Sequence, residues 1–469
     1  MNSISKSLET SETMPRPEEI KKLNEEEPTS GLRDLKGTNV YMPQEQLIRE
    51  RITDTLKRIF KLYGYKPIET PILEFYDIAA SKYAGGSEIL KETYKLSDQG
   101  ARDLCLRYEL TFKLGKVIGM NPDMRLPFKR YEIGKVFRDG PVKLARLREF
   151  TQCDIDVVGI KSMIADAELM AIVFNVFAEL GLDIYVQVNN RKILFGLFEF
   201  CGVPENLKQD CALSLDKLVK VGEQSVRREL GEKGVSEETA NKIFEILKEA
   251  EAGKSNREKL AYLEGKLTNS LSTEGITEMK QLFSYIEGFS INGDVRYIPT
   301  LARGLGYYTG SMWEGFVKNS AITSTICGGG RWDKMIGEFL GSGKEYPATG
   351  ITFGLDVISI ALTLQKEKNT KFINNVIPSV LIIPINTVDQ CPPIAARMRS
   401  SGISCDISID RKLSKALEFA GKERIPFVAI VGKAELENGS VTLHNMQTGE
   451  EKQVKLEEAA KHLSEHLCI

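Results

Sequence analysis

Phe128-Lys-Arg-Tyr-Glu-Ile-Gly-Lys-Val-Phe-Arg138-Asp-Gly-Pro-Val-Lys-Leu-Ala-Arg146-Leu-Arg148-Glu149-Phe150-Thr-Gln152-Cys-Asp154-Ile-Asp156 reads as a strand, a basic loop and a returning strand. Between Lys129 and Glu149, seven basic residues stand against three acidic ones. An arginine at a strand end can clamp phosphate oxygens through two parallel N–H bonds, and such a loop can reach a polyanion. A solvated hairpin with ordinary surface arginines fits the same composition. The returning strand adds a second clue. Successive side chains of a strand point to opposite faces, so Gln152, Asp154 and Asp156 share one face. Three polar side chains in a row are unusual on a core-facing surface and natural on the floor of a polar pocket.

Upstream of the hairpin, Leu47, Ile48, Ile52, Leu56, Ile59, Phe60 and Tyr63 fall at helical spacing, and Gly64 follows as a cap. Short apolar runs come next: Pro67 to Leu73, Glu92 to Leu96, Leu104 to Leu106, Arg130 to Phe137 and Ile155 to Val158. No regular crossover helices separate them, which predicts an α+β fold with a mainly antiparallel sheet. From about residue 195 to 290, Lys and Glu are dense and helical periodicity dominates, so this segment reads as a helical insertion. Strand-like segments resume at Arg296 to Ile298, Gly315 to Val317 and Ile351 to Phe353.

A polar, Lys-rich bridge from Gln365 to Asn375 then leads into Val380-Leu-Ile-Ile-Pro. A helix around Ile394 to Ser400, a strand near Ser404 to Ile407, a helix near Leu413 to Gly421 and a strand at Phe427 to Val431 complete a small α/β domain. Met1 to about Ser30 is polar and aperiodic, which predicts a flexible tail. The expected organisation is a tail over 1–30, a main domain over 31–365 and an α/β domain over 376–469.

Composition narrows the function. The 63 Lys+Arg and 65 Asp+Glu of the 469 residues nearly cancel, so bulk charge does not hold this chain on nucleic acid or membrane. No run approaches about 18 apolar residues, and the N-terminus lacks a signal-peptide core. The eight cysteines form no C-x-x-C pair, which suits reduced thiols in the cytosol. Only three histidines occur, His444, His462 and His466, all far from the charge-dense segments. Histidine-based catalysis is therefore not expected, and no H-E-x-x-H metal motif occurs. Gly341-Ser-Gly-Lys344 runs into Glu345 without the spacing of a P-loop, and Gly304-Leu-Gly306 lacks the third glycine of a dinucleotide turn.

Two further segments combine glycine with chemistry. Leu301-Ala-Arg303-Gly-Leu-Gly306-Tyr307-Tyr308-Thr-Gly310 sets an arginine among glycines beside paired tyrosines. Cys327-Gly328-Gly329-Gly330-Arg331-Trp332-Asp333 puts a triple glycine before an Arg-aromatic-Asp. Glycine lets backbone approach a ligand, and aromatics with a carboxylate suit a flat, hydrogen-bonding side chain. Each segment alone also fits a tight turn with packed aromatic rings.

Taken together, these segments resemble a known family. The Arg138 to Phe150 segment resembles motif 2 of class II aminoacyl-tRNA synthetases, and Pro71 stands where motif 1 has its proline. Gly350-Ile-Thr-Phe-Gly354-Leu-Asp356 resembles motif 3. The two glycine segments are similar to signatures of the histidyl-tRNA synthetases. The resemblance runs from about Gly31 to the end, with the C-terminal α/β unit similar to the family's anticodon-binding domain.

The resemblance implies histidine activation by ATP with Mg²⁺, transfer to tRNA(His), and a homodimer joined through motif 1. It further implies that Arg138 holds the ATP α-phosphate, that Arg303 stands near that phosphate and the histidine carboxylate, and that Arg146 faces the terminal phosphates. Glu109, Thr111 and Gln152 are implied for the α-amino group, and Asp156, Tyr307 and Tyr308 for the imidazole. Three positions depart from the family pattern: Gly306 for Asp, Trp332 for Tyr, and Asp356-Val357 for Glu-Arg. Two alternative functions are a synthetase-like regulatory subunit of ATP phosphoribosyltransferase and an enzyme that activates histidine without charging tRNA. The former is expected to lack the histidine signatures and the anticodon domain.

Overall fold

The computed structural model describes residues 33–82, 87–143, 145–303, 306–365, 378–409 and 411–467. The expected N-terminal tail, the bridge from residue 366 onward and Cys468 lie outside them. The chain divides into two compact units, Met1–Glu367 and Lys368–Ile469.

The first unit begins with the helix Pro43–Leu62. Pro43 suits its first turn, where a missing N–H costs nothing, and the Glu45 carboxylate accepts the Met42 N–H at 3.0 Å. Ile52, Leu56, Ile59 and Phe60 recur at helical spacing and are buried. Gly64, at φ +79°, ends the helix in a conformation that favours glycine.

Strand β1 (Lys66–Pro67) then joins the large sheet, while β2 (Leu73–Phe75), β3 (Lys95–Ser97) and β4 (Asp103–Leu106) form a small sheet in the order β2-β4-β3. A single strand is expected over Pro67 to Leu73, yet pairing breaks between β1 and β2. Thr70 spends its N–H and its hydroxyl on the Glu132 carboxylate, at 2.9 and 2.7 Å, instead of on a neighbouring strand. The strand expected from Glu92 begins only at Lys95, after the helical turn Ser87–Lys91.

The large sheet continues with β5 (Phe128–Phe137), β6 (Glu149–Val158), β7 (Ile184–Asn190), β8 (Asp294–Tyr297), β9 (Ser311–Val317), β10 (Cys327–Arg331) and β11 (Ala348–Gly354). Its order is β1-β5-β6-β11-β10-β9-β7-β8, antiparallel except for one parallel pair at each edge. The helix Ile164–Leu180 is apolar almost all round and packs in the core; Gly181 caps it at φ +73°. Phe353 of β11 meets Phe60 and Phe177 with ring centroids 5.7 and 5.8 Å apart, so the first helix, the core helix and the sheet share one apolar layer. Between β7 and β8 the chain is helical in seven pieces, from Arg191–Phe200 to Ser270–Gly288. Strand β7, which precedes them, has no counterpart among the sequence expectations.

The second unit is a five-stranded sheet of β12 (Val380–Pro384), β13 (Cys405–Ile407), β14 (Phe427–Val431), β15 (Ser440–Asn445) and β16 (Glu451–Lys455), in the order β13-β12-β14-β15-β16. Strand β12 runs parallel to β13 and β14, and the last pairs are antiparallel. Helices Cys391–Ser400 and Leu413–Lys422 fall where alternation predicts them; β15, β16 and the helix Leu456–Leu467 extend the unit.

Candidate active site

The hairpin β5–β6 sets the floor of the site. Register pairs Arg130 with Asp156, Glu132 with Asp154 and Gly134 with Gln152. On the other side of β6, Asp156 faces Gly350, Asp154 faces Thr352 and Gln152 faces Gly354 of β11. The rows continue through Gly330 and Gly328 of β10 to Met312 and Glu314 of β9. One face of the sheet therefore carries rows of carboxylates and glycines, while Cys153, Ile155, Ile351 and Phe353 point into the core.

The glycines are cradles. A Cβ on Gly350 would lie 1.9 Å from Asp156 Oδ1, and one on Gly328 would lie 2.0 Å from Arg303 Nη1. A Cβ on Gly330 would strike the Ser311 carbonyl at 2.5 Å and the Tyr308 ring at 2.7 Å. The triple glycine is thus no turn. It is a central strand stripped of side chains so that Arg303 and Tyr308 can lie across it.

Over this floor the candidate residues gather from distant segments. Glu109 is buried just before the helix Thr111–Met120, and its Oε2 accepts the Tyr307 hydroxyl at 3.1 Å across 198 residues of sequence. Burial pushes its carboxyl up to about 7, the Asp154 charge adds to that rise, and the Arg138 charge opposes it. Thr111 donates to Asp154 Oδ2 at 3.3 Å. Gln152 keeps its Oε1 buried with no hydrogen-bond partner. Tyr307 and Tyr308 pack with ring centroids 4.9 Å apart.

Asp156 is 1 % exposed and faces the fully buried Arg130 at 2.7 Å. The two are paired by charge; Asp156 Oδ2 has no aligned hydrogen bond. Burial, helped by Asp154, Glu109 and Glu132, still holds the Asp156 carboxyl above the ordinary carboxylate range despite Arg130.

Three arginines line this region. Arg138, just past β5, lies between the rings of Tyr108 and Phe150, at 4.2 and 5.1 Å from their centroids. Such stacking holds a guanidinium flat while leaving N–H groups for a ligand. Arg303 donates to the Trp313 carbonyl at 2.9 Å and stands 3.5 Å from Glu314. Arg146 is half-exposed on the loop and bound to Glu92 at 2.7 Å. Arg138 and Arg303 each bear electrostatically on Glu109 or the tyrosines, whereas Arg146 is held outward on its loop.

Several residues behave otherwise than their sequence context suggests. Arg331 is buried beneath the sheet, pairing with Asp166 and, at 3.3 Å, with Asp333, and donating to the Ile160 carbonyl at 3.1 Å. Trp332 fills a small apolar cluster with Leu114, Ile118 and Ile336. The Arg-Trp-Asp of this segment therefore holds the fold, and only its glycines serve the floor. At the end of β11, Asp356 accepts from Arg49 at 2.7 Å and from the Thr151 N–H at 2.8 Å, and also takes the Tyr41 hydroxyl. That carboxylate ties the first helix to β6, and Val357 beside it packs on the core.

Sequence reading passed over Arg107, which is buried over Gly134. It donates to the Lys135 and Thr70 carbonyls at 2.7 and 2.8 Å and pairs with Glu132 at 3.1 Å. Arg130, quoted only as part of the hairpin, was passed over in the same way. The signal was available: Arg130 and Glu132 alternate with the core residues of β5 in step with Asp154 and Asp156.

Comparison with known proteins agrees with this architecture. A family model described as histidyl-tRNA synthetase matches residues 37–358, and an anticodon binding domain model matches residues 379–466. Histidine–tRNA ligase 1 of Bacillus cereus is 45 % identical over 92 % of this chain and 99 % of its own length. The crystal structure of a histidyl-tRNA synthetase from a Nostoc species superposes with a TM-score of 0.78 at 26 % identity, covering 93 % of this chain and 99 % of that one. An ATP phosphoribosyltransferase regulatory subunit/histidyl-tRNA synthetase from Bacillus halodurans shares the fold at a TM-score of 0.70 and 18 % identity, over 86 % of this chain and 98 % of that one. With a catalytic-domain match over more than half its length and a close relative along nearly all of it, the chain belongs to the histidyl-tRNA synthetase family.

Proposed function

We propose that the chain is a histidine–tRNA ligase working in two steps on this floor. A carboxylate oxygen of L-histidine attacks the α-phosphorus of ATP, and pyrophosphate leaves. The terminal hydroxyl of tRNA(His) then attacks the acyl carbon, and AMP leaves. The observation that carries the reading is an acidic, glycine-lined floor bordered by two anchored arginines, Arg138 and Arg303. A carboxylate approaching a phosphate meets anion repulsion, and guanidiniums fixed in advance relieve it without reorganising.

In this reading Arg138 binds the α-phosphate, Arg303 binds that phosphate and the histidine carboxylate, and Arg146 swings from Glu92 toward the terminal phosphates. Glu109, Thr111 and Gln152 take the α-amino group; Asp156, Tyr307 and Tyr308 take the imidazole. Mg²⁺ arrives with ATP, held by the phosphates of its substrate complex. Residues 31–365 are the catalytic domain, with the helical insertion at about 195–290, and 376–469 reads the anticodon.

A homodimer is supported by the exposed apolar side chains around the motif 1 region, Val40, Met42, Leu62, Ile72, Leu73 and Phe75, which a second copy would cover. A cytoplasmic location is supported by the free, buried state of the seven described cysteines. Among the described residues no helix is long and apolar enough to cross a membrane.

Histidine-dependent ATP–pyrophosphate exchange, run beside tRNA charging, tests the proposal. Both activities are expected in the full chain. A chain ending at Gln365 should retain some exchange if the dimer survives, and lose most charging, because linked contacts raise the effective concentration of the acceptor end. Exchange without charging in the full chain would favour the histidine-activating alternative, and neither activity would favour the regulatory one.

A further inference from the structure

One buried ionisable group on the floor has no role in the reading above. Asp154 lies between Gln152 and Asp156 on the same face of β6 and is 1 % exposed. Its row across the sheet runs from Glu132 through Asp154, Thr352 and Gly328 to Glu314. The neighbouring carboxylates of the floor are held by an arginine or by a hydroxyl. Glu132 takes Arg107 at 3.1 Å and both donors of Thr70. Asp156 faces Arg130 at 2.7 Å, and Glu314 faces Arg303 at 3.5 Å. Glu109 accepts the Tyr307 hydroxyl at 3.1 Å and lies in the field of Arg138.

Asp154 accepts the Thr111 hydroxyl at 3.3 Å on Oδ2 and has the Thr352 hydroxyl beside it, but no cation of its own. Its Oδ1 is buried and has no well-aligned hydrogen bond. The Arg130 charge reaches it, but that guanidinium spends Nη2 on Asp156 and the Leu110 carbonyl, while its Nε and Nη1 make no hydrogen bond to Asp154. Two residues away on the same face, Gln152 Oε1 is buried and unpartnered as well. Orphaned acceptors at this depth are uncommon in folded proteins and call for a missing donor.

We propose that Asp154 is a further substrate-binding residue, which with Gln152 receives N–H bonds from the α-ammonium of the amino acid. This deepens the reading that histidine occupies the floor and rests on it. An ammonium suits the gap better than an imidazole does. It brings a full positive charge to a carboxylate whose nearest cation, Arg130, is paired with Asp156, and its three tetrahedral donors match Glu109, Gln152 Oε1 and Asp154 Oδ1. Thr111, which lines the same group, also holds Asp154 by donating to Oδ2, so that Oδ1 faces the ligand.

The test compares Asp154→Asn with the wild type, using two ligands that differ only in the ammonium: L-histidine and 3-(imidazol-4-yl)propionate. Titration calorimetry gives both affinities, and thermal melting of the unliganded proteins gives stability. Asp154→Asn should weaken histidine about thirtyfold and change the propionate less than threefold. It should melt at the same or a higher temperature, since it removes a buried charge that burial disfavours while keeping the side-chain shape. A purely structural carboxylate would do the opposite, lowering the melting temperature and weakening both ligands alike, and that result overturns the proposal. Asp154→Ser gives a second route should Asp154→Asn fold poorly: it should erode the preference for histidine several-fold, and an unchanged preference overturns the proposal. A wild-type protein that binds histidine no better than the propionate would sink the underlying histidine reading itself, before any variant is considered.

Discussion

Strands β6 and β12 both lie in the interior of their sheets, and they are built on opposite plans. All but the last residue of Val380-Leu-Ile-Ile-Pro384 are buried, with apolar side chains on both faces, as in a parallel strand covered by helices on each side. In β6, Cys153, Ile155 and Val157 enter the core while Gln152, Asp154 and Asp156 face the floor. The first plan maximises burial of hydrocarbon. The second gives up that gain on one face and sets buried charges there, an arrangement that is costly unless they are paired or a ligand supplies what is missing. Substitutions on the two strands should therefore part along the same line, β12 changes acting on stability and floor changes acting on ligands.

The largest separation is expected at Arg138. Arg138→Ala should cut histidine-dependent exchange by about a hundred- to a thousandfold, the scale for losing one preorganised charge-stabilising donor. Circular dichroism should be unchanged, because the side chain is only half-buried. Near-normal exchange in a folded variant would remove Arg138 from the chemistry. Ile382→Ala in β12 should do the reverse. It should cost about 2–5 kcal/mol of stability in the C-terminal unit while leaving exchange near normal, read by chemical denaturation beside exchange.

A pH titration sharpens the contrast. Glu109 titrates near 7 in the folded chain, above the ordinary glutamate value. A raised carboxyl contributes stability that is complete below the unfolded pKa and is lost as pH rises through about 7. The unliganded catalytic unit should therefore melt at progressively lower temperature between about pH 4 and pH 8, values that bracket the unfolded and folded titrations. Saturating histidine should flatten that slope, since the bound ammonium favours the charged carboxylate. Glu109→Gln should reduce the slope without ligand, the remainder coming from the raised Asp154 and Asp156 carboxyls, and an unchanged slope would assign the effect elsewhere. The smallest effect belongs to Arg146, half-exposed and held only by a surface pair. Arg146→Ala should raise the ATP requirement a few-fold with little change in the histidine requirement.

Much of this contrast is legible in the chain. Alternation along Gln152-Cys-Asp-Ile-Asp156 identifies both the strand and its polar face, and the scarcity of crossover helices points to the antiparallel sheet. Assembling Glu109 with Tyr307 across the fold needed the family resemblance, since periodicity says nothing about contacts between segments so far apart. Buried charge was harder to see. Arg130 and Arg107 look like surface arginines because sequence displays charge and not depth. The triple glycine misleads for a related reason: glycine marks turns through its free φ, but in β10 it is chosen for a missing Cβ. Strand β7 was overlooked although Ile184, Val186 and Val188 alternate, because it is a short run between the long core helix and the helical insertion.

With histidine on the glycine-lined floor as proposed, that floor also fixes which way the substrate preference can be redesigned. Glycine has no smaller replacement, so the pocket is already as deep as the backbone of β10 and β11 allows. Added methyl groups at Gly328, Gly330 or Gly350 would collide with Arg303, Tyr308 or Asp156 before they reached a ligand. A variant meant to accept a bulkier amino acid has to find its room in the side walls, at Tyr307 and Tyr308.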